Sequence, residues 1–188
     1  MSLLAEAEIV NQAKAGDQHA FRKLVTAYQG FVYSIAYRFT TNQEEAEDLV
    51  QECFVKFWKN LDKYNPEFKL KPWIGKMITN LSLDFVKSAR SKNDKRKLEM
   101  NENLSVADSR HSESDVHATE LHETILRLAE KLTPKQRAAF ILRDLEMMEV
   151  SEVCDILNIS ATNLKSNLYY ARLNIKEGLL KYYKNSVL

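Results

Sequence analysis

Between positions 21 and 39 the apolar residues Phe21, Leu24, Val25, Tyr28, Val32, Ile35, Ala36 and Phe39 return to one face every three or four residues. That period belongs to an amphipathic α-helix and excludes an alternating strand. The pattern recurs. Ala46, Leu49, Val50, Cys53, Phe54, Phe57, Trp58 and Leu61 make a second stripe, and Ile74, Met77, Ile78, Leu81 and Phe85 a third. On the helix of that third stripe, the fourth in the chain, Lys76, Thr79, Asn80, Leu83, Lys87 and Arg90 are expected to project away from the core. Only four Gly and three Pro occur among 188 residues, too few for the turns of a sandwich or barrel. The fold class is therefore all-α.

The punctuation divides the chain. Gly16 closes a first helix, Asp17 caps the second, and Asn42 with Glu45 forms the start of the third. Pro66 interrupts in a loop, and Pro72 fits the first turn of the fourth. After that helix the apolar period collapses into a polar, charge-mixed stretch, which reads as a flexible linker. As a coil it would span roughly 30 Å root-mean-square. Periodicity resumes with Leu121, Ile125, Leu128 and Leu132. Thr133-Pro134-Lys135-Gln136 restarts a helix, a short one follows over Ser151–Leu157, and a last one runs from Ala161 to about Tyr182. The expected organisation is two small helical domains, 1–92 and 118–188, of four helices each, joined by the linker 93–117.

Net charge is only +1, but the charges are segregated. Residues 43–52 hold five acids and no base, residues 69–97 hold nine bases against Asp84 and Asp94, and the chain beyond Ser160 holds five bases against Glu177. Two basic segments separated by an acidic one suit two nucleic-acid contacts and a different, basic partner; solvated helix faces are the plainer alternative. Cys53 and Cys154 fall on apolar stripes and read as buried free thiols of a reducing compartment. The N-terminus does not read as a signal peptide, and no apolar run reaches membrane-spanning length. The expected location is the cytoplasm, without membrane insertion. No phosphate-binding glycine loop, catalytic triad or metal-ligand spacing is present, so neither an enzyme nor a cofactor is expected.

The segment after Val150 reads as a short helix, the three-residue break Asn158-Ile159-Ser160, and a longer helix. That is a helix-turn-helix, with a plain helical hairpin as the alternative. Its second helix would offer Thr162, Asn163, Lys165, Ser166, Asn167, Tyr169 and Tyr170 to a major groove about 12 Å wide.

With these residues in view, the chain resembles a bacterial RNA polymerase sigma factor of the extracytoplasmic-function (ECF) group over nearly all its length. AEDLVQECFVKFW (Ala46 to Trp58) resembles the polymerase-binding helix. PWIGKMITNLSLDFVKSAR (Pro72 to Arg90) resembles the helix that binds the minus-10 element. LTPKQRAAFILRDLEMMEVSEVCDILNISATNLKSNLYYAR resembles the minus-35 reader. The chain departs from the family where Met148 replaces a usual glycine, and where Asn167 and Tyr169-Tyr170 replace usual cations.

The resemblance implies a sigma factor that binds core RNA polymerase, directs it to promoters through the minus-10 and minus-35 elements, and helps melt the DNA. Asp48, Gln51 and Glu52 would dock on the β′ clamp, and the β flap would be a second polymerase contact. Tyr64, Asn65 and Phe68 would hold an unstacked base, with Tyr64 and Phe68 equally readable as loop anchors. Lys76, Asn80, Asp84 and Lys87 would hold the single strand, and Trp73 reads as core, with a strand-separating wedge as its alternative. Arg143, Lys165, Ser166, Tyr169 and Tyr170 would contact the minus-35 element, Arg143 having a surface ion pair as its alternative role. Promoter DNA, core polymerase and an anti-sigma protein are the implied partners. Competing readings are a stand-alone helix-turn-helix regulator, which would bind duplex DNA without polymerase, and a helical adaptor, which would bind no nucleic acid.

Overall fold

The structure is a computed structural model that describes residues 3–99 and 113–186, with side chains placed for residues 5–89 and 120–184. The described residues form eight α-helices and no strand: α1 (Leu3–Lys14), α2 (Gln18–Thr40), α3 (Gln43–Asn60), α4 (Leu70–Glu99), α5 (Glu113–Glu130), α6 (Pro134–Phe140), α7 (Val150–Leu157) and α8 (Ala161–Ser186). None of them is long and apolar enough to cross a membrane.

The helix starts follow the expected chemistry. Asp17 accepts the backbone N–H groups of His19 and Ala20 at 2.8 and 3.2 Å, which holds the Asp17 carboxyl below its usual range. Asn42 accepts that of Glu45 at 3.1 Å. Thr133 and Gln136 form a reciprocal capping box, with Pro134 in the first turn. Gly16 adopts φ +92°, a left-handed conformation that glycine takes without steric cost.

Helices α1 to α4 bury Leu24, Val32, Ile35, Ala46, Cys53, Phe57, Ile74 and Ile78 in one core. Helices α5, α6 and α8 close around Ala129, Leu132, Phe140, Ala171 and Ile175. Here α5 and α8 approach closely: a Cβ at Gly178 would lie 2.4 Å from the Leu128 side chain.

Two expectations need correction, and a third meets the structure only at its edges. First, α4 is described to Glu99 and α5 from Glu113, at the two edges of the expected linker 93–117, whose middle, residues 100–112, lies outside the described residues. Neither Gly nor Pro occurs between Gly75 and Pro134, and Lys, Arg, Leu and Glu all favour helix. Second, Thr79, expected outside, is fully buried, as are Ser82 and Val86. With Gly75 they form a second stripe on α4, beside the Ile74–Ile78–Leu81 face. A Cβ at Gly75 would lie 3.1 Å from Ile156 Cδ1 of α7 and 3.4 Å from the Phe31 ring. Helix α4 thus serves its own bundle with one stripe and meets the C-terminal unit with the next. Third, Trp58 was placed on a buried stripe but is 41% exposed, edge-on to Phe21 with ring centres 4.6 Å apart.

The two units therefore pack into one body. A single apolar cluster runs from Val10 through Ile78 and Val86 to Ala138, Leu142, Val153 and Ile156.

Candidate nucleic-acid and polymerase interfaces

The outer face of α4 carries Lys76, Asn80, Asp84 and Lys87, all exposed. Their spacing of four, four and three keeps them on one side of the helix. Lys87 and Asp84 pair at 3.2 Å, so the ladder runs cation, amide and ion pair along about three turns. The face exists because the other two stripes of α4 are buried.

The ladder leads at its N-terminal end into the loop before α4. Its members do not behave alike. Tyr64 is only 4% exposed: its ring packs 5.1 Å from that of Trp73, its hydroxyl donates to the Phe68 carbonyl, and its own carbonyl accepts Lys14 Nζ at 2.6 Å. Burial, and then the nearby Glu6 charge, push the Tyr64 phenol up to about 12. Tyr64 is thus the anchor of the loop rather than a projecting base holder, the tighter of its two readings. Trp73 is half-buried between Phe57 and Tyr64. Asn65 accepts the Glu67 backbone N–H at 3.1 Å, a local turn that leaves Phe68 68% exposed at the tip. Together these residues border a cavity of about 360 Å³, whose lining also includes Lys63, Lys69, Pro72 and Lys76, and Asp155 and Ile156 of α7.

In the C-terminal unit α7 ends at Asn158 in the left-handed conformation, φ 51°. Ser160 then accepts the Asn163 backbone N–H at 3.2 Å and starts α8. Leu164, Leu168 and Ala171 face inward, so Lys165, Ser166, Tyr169 and Tyr170 face outward and are exposed. The two tyrosine rings meet edge to face, 5.3 Å between centres. Asn167 folds its amide back to the Asn163 carbonyl at 2.8 Å. Arg172 holds Asp144 with two bonds, 2.8 and 2.6 Å, which keeps its guanidinium charged and ties α8 to the preceding turn.

Arg143 is half-buried and donates to the Met148 carbonyl at 2.9 Å. It braces the turn into the helix-turn-helix, and this backbone bond stands in place of the surface ion pair that was its alternative role. One turn of π-helix, Ile141–Leu145, precedes it. The left-handed residue here is Met147, φ 55° and exposed, whereas Met148 is buried. The glycine that the resemblance calls for therefore corresponds to Met147, one position earlier than the sequence placed it.

On α3, Asp48, Gln51 and Glu52 are exposed along one side, with Glu52 paired to Lys56 at 3.1 Å.

Sequence reasoning missed the residues that join the units. Arg137, 3% exposed, donates to the carbonyls of Arg38 and Phe39 at 3.1 and 3.0 Å, which are last-turn groups of α2. Glu146 accepts from Ser34 and Arg38. Lys69 meets Glu152 at 3.1 Å. A charged residue on a short helix carries no sequence signal for burial, and none of these pairs is local.

Residues 24–92 match the Sigma-70 region 2 family and residues 122–175 match Sigma-70, region 4. Over 178 residues, 90% of this chain and 94% of the relative, the sequence is 30% identical to the ECF RNA polymerase sigma factor SigW of Bacillus subtilis (strain 168). The chain belongs to the ECF RNA polymerase sigma factors. It acts in promoter-specific transcription initiation with RNA polymerase and is an initiation factor, not an enzyme. The fold of this sigma factor is shared with CnrH, solved in complex with the cytosolic domain of CnrY, at a TM-score of 0.69 and 21% identity over 95% of this chain and 98% of that one. It is also shared with the sigma factor RpoE of Bartonella quintana, solved with the anti-sigma factor NepR, at 0.63 and 20% over 85% and 96%.

Proposed function

We propose that this sigma factor holds the melted minus-10 strand along Lys76, Asn80, Asp84 and Lys87 and captures a base at the loop of Asn65 and Phe68, with Tyr64 and Trp73 as the wall behind it. The observation that carries this reading is the continuity of the exposed α4 ladder with a cavity bordered by aromatics and three lysines. Aromatic faces stack an unpaired base while cations track the backbone. Lys165, Ser166, Tyr169 and Tyr170 read the minus-35 element in the major groove, with Arg143 fixing the presentation of the helix. Asp48, Gln51 and Glu52 dock on a basic surface of the polymerase β′ clamp.

The functional units follow the division 1–92 and 118–188, and the protein works in the cytoplasm beside polymerase. An anti-sigma protein is its regulator, a reading supported by the likeness to RpoE, whose solved partner is one. Run-off transcription with purified core polymerase on a pool of genomic fragments tests the whole reading. Start sites sharing two elements at a fixed spacing are expected; transcripts without a common element would contradict it.

A further inference from the structure

Helix α1 lies outside residues 24–92, the part of the chain that matches the Sigma-70 region 2 family. It is nevertheless seated in the core by Val10 and Ala13, and Gly16 and Asp17 fix its exit into α2. Two of its polar side chains reach across to the loop before α4. Lys14 Nζ donates to the Tyr64 carbonyl at 2.6 Å, where the loop begins. Glu6, 8% exposed, accepts the Leu70 backbone N–H at 3.4 Å, where the loop ends and α4 starts.

The second contact meets a need that α4 cannot meet itself. A helix start leaves backbone N–H groups without partners and favours a negative charge. The first turn of α4 holds no acid, and the residue before it is Lys69, whose side chain has no acceptor. Glu6 supplies the missing carboxylate from another helix. The Tyr28 hydroxyl of α2 donates to its other oxygen and holds it in place. Burial, and then the bond to Glu6, push the Tyr28 phenol far above its usual range, so this donor keeps its proton.

Between these ties the loop closes on itself. The Tyr64 hydroxyl donates to the Phe68 carbonyl, and the Phe68 N–H to the Asn65 carbonyl at 3.2 Å. Asn65 and Phe68 stay exposed, so their direction follows from where the two ends of the loop stand.

We infer that Glu6 and Lys14 are positioning residues for minus-10 base capture: α1 holds both ends of the loop and so sets where Asn65 and Phe68 stand beside the α4 ladder. This rests on the reading of that loop as the base holder. Glu6 and Lys14 lie about 12 Å apart along α1, a spacing that a rigid helix imposes on the loop ends.

The test is a mutant cycle in the full chain with core polymerase, on a promoter found by run-off transcription, with permanganate reactivity reporting open-complex formation. Glu6→Gln should slow it about tenfold, the worth of one charge-assisted hydrogen bond. Lys14→Met, which keeps the apolar stem, should slow it by a smaller factor and serves as the second arm should Glu6→Gln fail to fold. Minus-35 protection should not change. In a background of Asn65→Ala with Phe68→Ala, either substitution should cost nothing further, because no base holder is left to place. A merely structural role, or a phosphate contact by Lys14, would subtract the same factor in both backgrounds. Such equal losses, or no loss from Glu6→Gln and Lys14→Met in the wild type, would overturn the positioning role and leave the loop assigned. Full reactivity of the Asn65→Ala, Phe68→Ala variant would overturn base capture by the loop, and the positioning role with it.

Discussion

The two helices proposed to face DNA differ in how many sides they give to packing. Helix α8 buries one stripe, Leu164, Leu168, Ala171 and Ile175, and leaves its recognition face open. Helix α4 buries two, one in its own bundle and a second of Gly75, Thr79, Ser82 and Val86, leaving a narrow ladder of Lys76, Asn80, Asp84 and Lys87. The second stripe ties α4 to the C-terminal unit, so the two proposed contacts differ in how much of their helix stays free. The chemistry differs too. Helix α4 presents lysines and amides suited to a flexible single strand, whereas α8 presents adjacent tyrosines and one lysine suited to groove edges.

The largest expected effect breaks the α4 side. Lys76→Ala with Asn80→Ala removes two strand contacts, about 3 kcal/mol together, or roughly a hundredfold in open-complex formation. Permanganate footprinting on a promoter with core polymerase measures it; normal thymine reactivity would remove α4 from the mechanism. Duplex binding at the minus-35 element should be unaffected.

On the α8 side the effect is smaller and of another kind. If Lys165 touches phosphate, Lys165→Ala weakens promoter binding on all sequences alike and lowers the salt slope by about one. Loss confined to one base pair would assign it to edge reading instead.

The smallest effect is on stability and concerns the core that both faces depend on. Burial pushes the Cys53 thiol from 9.0 up to about 12. The folded state therefore keeps its proton where the unfolded chain loses it. Stability should be level below about pH 9 and decline as pH rises from 9 toward 12, with Tyr64 adding to the fall. Thermal midpoints across that window check the sign, and Cys53 should resist thiol reagents at pH 8.

The helices were legible because their signals are local. Asp17, Asn42, Thr133-Pro134 and the apolar stripes each act within a turn or two, and the outward positions of Lys76, Asn80, Lys165 and Tyr169 follow from the same period. What escaped depends on residues far apart in the chain. Thr79 was read as exposed because nothing near it announces a second neighbour. Arg137 was passed over because a buried arginine is recognisable only by the carbonyls it meets, here about 99 positions away. Tyr64 could equally face in or out on sequence alone, and Lys14 and Trp73 decide it. Met147 shows the limit of motif alignment: two adjacent methionines look alike in sequence, and only the backbone separates the left-handed one from the buried one.

The central claim is that the exposed faces of α4 and α8 are separate promoter contacts that work only with polymerase. Footprinting of the full chain on one promoter, with and without core polymerase, tests it most directly. With core, both elements should be protected and the minus-10 thymines should become reactive to permanganate; the Lys76→Ala, Asn80→Ala variant should keep the minus-35 protection and lose the thymine reactivity. Thymine reactivity unchanged by the double substitution would contradict the account.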